Sequence, residues 1–197
     1  MRNKLSILLI AIFLLASCDN ASFHRKHGNN PSVQDKQITN KKAKKETFQF
    51  KKGEEYSVKV VGISDGDTFT GLTDDNQQIK CRIYGIDAPE KRQAFGNVSK
   101  QTLSDLIFGK QVQIKIQNKD RWQRAVVWVY SSDKKDICAE MLKAGMAWHY
   151  KKYDNSDEYA ELENKARQNR IGLWHDNSPI PPWNFRKQNK SMDVNDR

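Results

Sequence analysis

The chain has 197 residues, with 34 lysines and arginines against 24 aspartates and glutamates and 37% hydrophobic residues. That length and apolar content supply one core of ordinary size but not two; recurrent aromatic and β-branched residues from Tyr56 to Trp183 exclude full disorder, and a single long apolar run excludes a multi-span membrane protein. Of the net charge of +10, residues 1–50 contribute 9 basic and 3 acidic groups, so the excess lies ahead of the segment expected to fold, where it suits an anionic membrane, a cell-wall polymer or nucleic acid equally.

Arg2 and Lys4 precede an apolar run of eleven residues from Leu5 to Leu15, followed by Ala16, Ser17 and Cys18. A basic start, a short apolar stretch and small residues describe a secretory signal, since a spanning helix needs about 20 apolar residues. The Leu15-Ala16-Ser17-Cys18 ending resembles the lipobox of bacterial lipoproteins, which implies cleavage before Cys18, acylation of that cysteine and anchoring to a membrane. A simple secreted protein with an incidental Cys18 is the alternative. Asp19 points to retention at an inner membrane if the source has two. The expected organisation is a signal peptide over 1–17, a lipidated Cys18 and flexible basic linker over 18–53, a folded domain over 54–187 and a polar tail over 188–197. The linker reading rests on the Asn, Lys, Gln, Ser and Thr content and on the run Lys41, Lys42, Lys44 and Lys45.

Within the folded part, residues 56–61 alternate in part and predict a half-buried strand. Asp65-Gly66 signals a turn, residues 68–72 a second strand, Asp74-Asp75-Asn76 another turn, and residues 79–84 a third strand. Val98, Leu103, Leu106 and Ile107 form a helical stripe over 97–108, closed by Gly109. Val112, Ile114 and Ile116 alternate strictly with polar residues, giving the clearest strand. Residues 125–130 alternate little and predict a buried fifth strand. Two helices follow, over 137–144 before Gly145 and over 156–169 before Gly172. Five strands with a helix after the third predict an α+β, mainly β domain built on a small closed or partly open barrel, whose size and strand spacing fit a five-stranded OB-fold with three helices. Cys81 and Cys138 permit one disulfide without requiring it. The absence of any CxxC or Cys/His cluster argues against zinc.

Three segments concentrate polar residues at strand ends: Asp65-Gly66-Asp67-Thr68, Arg82-Ile83-Tyr84-Gly85-Ile86-Asp87-Ala88-Pro89-Glu90, and Asp120-Arg121-Trp122-Gln123-Arg124. Carboxylates converging from separate turns suit a hard divalent cation. Pro89 fixes its own φ and extends Ala88, so Asp87 and Glu90 leave the strand end in a defined geometry, Asp87 towards a metal and Glu90 towards substrate. The forked guanidinium groups of Arg82 and Arg124 match phosphate oxygens. A surface salt-bridge network among Arg82, Asp87, Glu90 and Arg124 would use the same residue types.

These segments, in this order, with Gly145-Met146-Ala147-Trp148, Gly172-Leu173-Trp174 and the ending Pro179-Ile180-Pro181-Pro182-Trp183-Asn184-Phe185-Arg186, resemble the staphylococcal nuclease (thermonuclease) family over roughly residues 56–174. The resemblance implies a Ca²⁺-dependent phosphodiesterase acting on DNA and RNA and leaving 3′-phosphate ends. It implies Ca²⁺ ligands at Asp67, Asp87 and the Ala88 carbonyl, a general base at Glu90, and phosphate-holding arginines at Arg82 and Arg124. Gln123 and Trp122 stand where many members have Gly and Tyr. Tyr150 and Tyr153, beside Lys151 and Lys152, are candidate nucleic-acid contacts, whereas Trp174 and Trp183 read as structural. A monomer on the outer side of a membrane in the bacterial cell envelope is expected. The competing readings are a non-catalytic OB-fold lipoprotein that binds single strands without metal, and an envelope interaction lipoprotein using the barrel as a scaffold.

Overall fold

The computed structural model describes residues 49–195; the expected signal peptide, Cys18 and the lysine run lie outside them. Alternation of apolar side chains sets the strands. In β1 (Glu55–Ile63), Val58 and Val60 point inward; in β5 (Gln111–Lys119), Val112, Ile114 and Ile116 do. With β2 (Thr68–Leu72), β3 (Gln78–Ile83) and β6 (Ala125–Ser131) they close a barrel in the order β1-β2-β3-β6-β5. All neighbours are antiparallel except β3 and β6, which run parallel. Closure leaves no free sheet edge, and burying the inward residues, at about 25 cal/mol per Å² of apolar surface, is the main stabilising term. The strand predicted as buried over residues 125–130 is buried on one face and covered on the other. Ala125, Val127 and Val129 fill the core, and the outward Trp128 is covered by Tyr84 and Tyr159, with ring centroids 4.5 and 6.0 Å away.

Among the described residues, four α-helices accompany the barrel. The stripe of α1 (Gly96–Ile107) differs from the expected one: Gly96, Ser99, Leu103 and Ile107 are buried while Val98 is half exposed. A polar residue holds the inner position because Ser99 Oγ donates to the Met146 carbonyl at 2.7 Å, which removes the penalty for burying its hydroxyl. Helix α2 (Ile137–Lys143) is capped by Asp136, whose Oδ1 accepts from the Cys138 and Ala139 amides. Helix α3 (Asp157–Gln168) is capped by Ser156. The chain end expected to fray continues as α4 (Pro182–Asn195), opened by a proline that is preorganised for a first helical turn.

Two further strands are too short for a sequence period to show: β4 (Ile86–Asp87) pairs antiparallel with β7 (Trp148–His149) outside the barrel. The glycines of the two late motifs meet there. Gly145 and Gly172 have φ of 62° and 59°, and the Leu173 amide donates to the Gly145 carbonyl at 2.9 Å. A Cβ on Gly172 would lie 2.4 Å from that same oxygen. Beside this crossing, Trp148, Leu173, Trp174 and Ala166 form a second small core with Trp183 and Phe95 at its margin. The Arg167 guanidinium carbon lies 3.7 Å from the Trp174 ring centre. Cys81 and Cys138 are free and buried in the main core. Burial pushes both thiols above their ordinary range.

Candidate active site

Neighbouring strands deliver the predicted site residues to one rim of the barrel. Thr68 pairs with Arg82 across β2 and β3, and Arg82 pairs with Val126 across the parallel β3 and β6. Asp67 therefore sits beside Arg82, while Arg124 precedes the start of β6 on the other side. The Asp65–Thr68 turn lies directly against the rest of the site: a Cβ on Gly66 would fall 1.9 Å from Ser99 Oγ and 2.8 Å from Ala88 Cβ. Glycine is required here by close approach, and it carries Asp67 inward until its residue is only 5% exposed.

Asp67 and Asp87 are cross-linked by one guanidinium. Arg82 Nη2 lies 2.9 Å from Asp87 Oδ1 and 3.2 Å from Asp67 Oδ2. Arg82 Nη1 donates to the carbonyls of Ile83 and Ile86, at 2.6 and 2.9 Å. The second Asp67 contact to this segment is the Ala88 amide, which donates to Oδ2 at 2.9 Å. Thr68 Oγ1 donates to Asp67 Oδ1 at 2.9 Å and accepts from Arg124 Nη1 at 3.2 Å. Arg124 is itself aimed by Asp120, whose Oδ2 accepts from Nε at 2.7 Å and whose Oδ1 accepts the Arg124 amide at 2.9 Å. Gln123 makes this turn with φ of 65°, a left-handed conformation that glycine adopts without strain.

Glu90 stands at the mouth, with its side chain 38% exposed. Its amide donates to Gln93 Oε1 at 3.1 Å, and its carbonyl accepts from the Gln93 amide at 2.8 Å. Arg186 of α4, absent from the predicted set, bridges Glu90 and Asp87: Nη1 donates to Glu90 Oε1 at 2.7 Å, and Nη2 donates to Asp87 Oδ2 at 2.7 Å.

The electrostatics of the cluster favour a divalent cation. Asp65, Asp67, Asp87 and Glu90 face Arg82 and Arg186, a formal excess of two negative charges. Burial, then repulsion from Asp67, pushes Asp65 up to about 6, and burial raises Asp87. The donor set is oxygen only, which fits a hard cation. Among the described residues no three His, Cys, Asp or Glu side chains form a ready cage, so a cation held by Asp67, Asp87 and the Ala88 carbonyl would complete its shell with water or substrate oxygen.

The aromatic candidates lie beside this rim. The Tyr150 ring stacks on Trp183 at 5.4 Å and 2°, and meets Tyr153 edge-on at 4.8 Å. A cleft of about 360 Å³ opens between Tyr150, Trp183, Arg167 and Lys187, with Lys151 and Lys152 on its wall. Trp148 is 7% exposed and packs edge-on against Trp174.

Residues 80–176 match the family model described as staphylococcal nuclease homologue. The chain is 50% identical over 137 residues to an uncharacterized endonuclease of Haemophilus influenzae, covering 70% of this chain and 76% of that one. It belongs to the staphylococcal nuclease family. A micrococcal nuclease of Shigella flexneri is 38% identical over 142 residues, covering 67% of this chain and 81% of its own. An uncharacterized endonuclease of Escherichia coli is 38% identical over 128 residues, covering 65% and 83%. The family and these relatives make the chain a hydrolase of phosphodiester bonds. In this member of the family, reasoning from sequence missed Asp120 and Thr68 as the groups that orient Arg124, though both lie inside the segments it singled out. It quoted Arg186 only as part of a similar tail; nothing in the local pattern tied that arginine to partners 96 and 99 positions earlier.

Proposed function

We propose that this nuclease cuts DNA and RNA with low sequence preference in the presence of Ca²⁺, with Glu90 as general base and Arg82 and Arg124 on the scissile phosphate. The observation that supports it best is the meeting of Asp67 and Asp87 with Arg82 at one barrel rim, with Arg124 joined to Asp67 through Thr68 and Glu90 joined to Asp87 through Arg186. Asp67, Asp87 and the Ala88 carbonyl are the groups that would hold Ca²⁺, which when bound supplies positive charge next to the phosphate.

A phosphodiester repels nucleophiles by its own charge. Arginines fixed in advance offset that charge without reorganising in the transition state, an effect worth about 10²–10³ in rate per donor. Asp120 and Thr68 hold the Arg124 fork in such a preset orientation. Glu90 accepts a proton from the attacking water as the oxygen–phosphorus bond forms. The bond from phosphorus to the 5′ oxygen breaks, and that oxygen takes a proton from solvent, leaving a 3′-phosphate. Tyr150 and Tyr153 offer faces for base stacking, worth about 1–3 kcal/mol per base, and Lys151 and Lys152 offer backbone charge neutralisation.

The test is cleavage of single-stranded DNA with Ca²⁺ or with EDTA, beside Glu90→Gln. Expected are cutting that vanishes in EDTA and a loss of about 10²–10⁴ in turnover for the variant, with DNA retained. Retention without cutting under both metal conditions refutes the reading. We further propose that acylated Cys18 holds the enzyme on the outer side of a membrane in the bacterial cell envelope, as a monomer. Cys18→Ser should then move it from the membrane fraction to the soluble exported fraction, and an unchanged distribution refutes the anchor.

A further inference from the structure

Arg186 occupies the groups that the reading above assigns to cation and base. Its fork takes both oxygens of Asp87, with Nη1–Oδ1 at 3.2 Å and Nη2–Oδ2 at 2.7 Å, and Nη1 also donates to Glu90 Oε1 at 2.7 Å. With Arg82 Nη2 on Oδ1 at 2.9 Å, Asp87 accepts three charged N–H groups. A carboxylate offers about four acceptor sites, so one remains on Oδ2, and because the Arg186 fork lies across both oxygens a cation that bonds either of them meets that guanidinium.

The two arginines differ in how firmly they are held. Arg82 is 15% exposed and is tied to two backbone carbonyls as well as to the carboxylates. Arg186 is 43% exposed, and its hydrogen bonds run to Asp87 and Glu90. Arg186 is therefore the one that yields. It is carried by a helix docked on aromatic faces, since Trp183 stacks on Tyr150 and meets Trp148 edge-on at 5.6 Å. The Gln93 side-chain amide donates to the Ile180 carbonyl just before that helix. The family match ends at residue 176, so this contact comes from outside the matched segment.

We propose that Arg186 is an internal countercation that closes the site until a divalent cation displaces it, so that α4 sets the cation concentration at which the nuclease becomes active. With Arg186 in place, its fork lies across both oxygens of Asp87 and takes one acceptor position of Glu90 Oε1. Entry of a doubly charged ion beside Asp87 repels the guanidinium, which leaves both carboxylates and is then free to face an anionic substrate. This inference rests on the calcium reading above.

The test is calorimetric titration of the full chain with Ca²⁺ in the absence of substrate, for the wild type, Arg186→Gln, Arg186→Lys and Asp87→Asn. Arg186→Gln should bind Ca²⁺ at least about tenfold more tightly, equivalent to about 1.4 kcal/mol. The Ca²⁺ concentration for half-maximal cleavage should fall by the same factor. Arg186→Lys keeps the charge but loses the fork, so its affinity should lie between the two; equality with the wild type would mean simple repulsion and overturn the latch. Trp183→Ala removes the helix dock without touching the arginine and should also tighten binding. Unchanged or weaker binding in Arg186→Gln, while Asp87→Asn abolishes it, overturns the latch and leaves the calcium site standing. Absence of binding in the wild type and Arg186→Gln alike overturns both.

Discussion

Gly96→Ala tests how tightly the position of Glu90 is set by backbone packing. Gly96 opens α1 beneath the Glu90 segment, and a Cβ there would lie 2.0 Å from the Glu90 carbonyl oxygen, 2.9 Å from its carbonyl carbon and 3.2 Å from Lys91 Cα. Relaxing a carbon–oxygen approach to about 3.3 Å requires the Glu90 backbone or the helix start to move by about 1.3 Å. Neither neighbour is the yielding tip of a side chain, and the same carbonyl is bound by the Gln93 amide at 2.8 Å. A misplacement of about 1 Å in a catalytic group costs about 10²-fold in rate, so turnover should fall by about that factor. Stability should change less: overpacking costs about 1–3 kcal/mol, and alanine in a helix recovers about 0.5–1 kcal/mol over glycine. The assay is the initial rate of single-stranded DNA cleavage at saturating Ca²⁺, well below the unfolding midpoint, with Glu90→Gln as comparator and DNA affinity measured separately. Wild-type turnover, or a loss that only tracks the unfolded fraction, would refute the claim that Gly96 positions Glu90.

Arg82→Lys should destabilise the fold by about 3 kcal/mol, the scale for breaking a buried ion pair, because one ammonium cannot serve two carboxylates and two carbonyls; denaturant midpoints with and without Ca²⁺ measure it. Asp136→Ala removes the α2 cap and the acceptor of the Tyr159 hydroxyl, so thermal unfolding should show a loss of about 2–3 kcal/mol, with cleavage retained at low temperature. Gln123→Gly should stabilise by about 1 kcal/mol by relieving a left-handed φ, seen as a rise of about 2–4 °C in the midpoint. Cys81 and Cys138 should resist a thiol reagent until the chain unfolds, because both are buried and their thiols are raised; labelling followed against denaturant checks this.

The parts of the fold visible in the sequence are those where one physical rule acts on neighbouring residues. Strict alternation in β5 and the glycines that close the two later helices are local signals; β5 runs through the alternating residues, and α2 and α3 match their predicted ranges to within a residue. The β4 and β7 pair was invisible because two residues have no period, yet it holds Asp87 opposite Trp148. Ser99 did not enter the predicted α1 stripe because its burial depends on a carbonyl 47 positions away. The site divides in the same way. Asp67, Arg82, Asp87, Glu90 and Arg124 lie in compact segments whose polar residues at strand ends had no packing explanation. Arg186 had no such local signal, since its meaning lies in where α4 docks.

The resulting arrangement explains how so many charges can be gathered at one rim. Burying Asp67 and Asp87 side by side is unfavourable on its own, and Arg82 offsets this only because the barrel fixes it between them with both Nη groups spent. That same commitment leaves Arg82 little freedom to follow a substrate, so mobility at the site falls to the more exposed Arg186. A staphylococcal nuclease domain of this kind thus separates its cations by attachment. The arginine on the closed barrel preserves the carboxylate geometry, while the arginine on the terminal helix can leave without disturbing any barrel strand. Cation sensitivity is then adjustable through the docking of α4, independently of the arginines proposed to hold the phosphate.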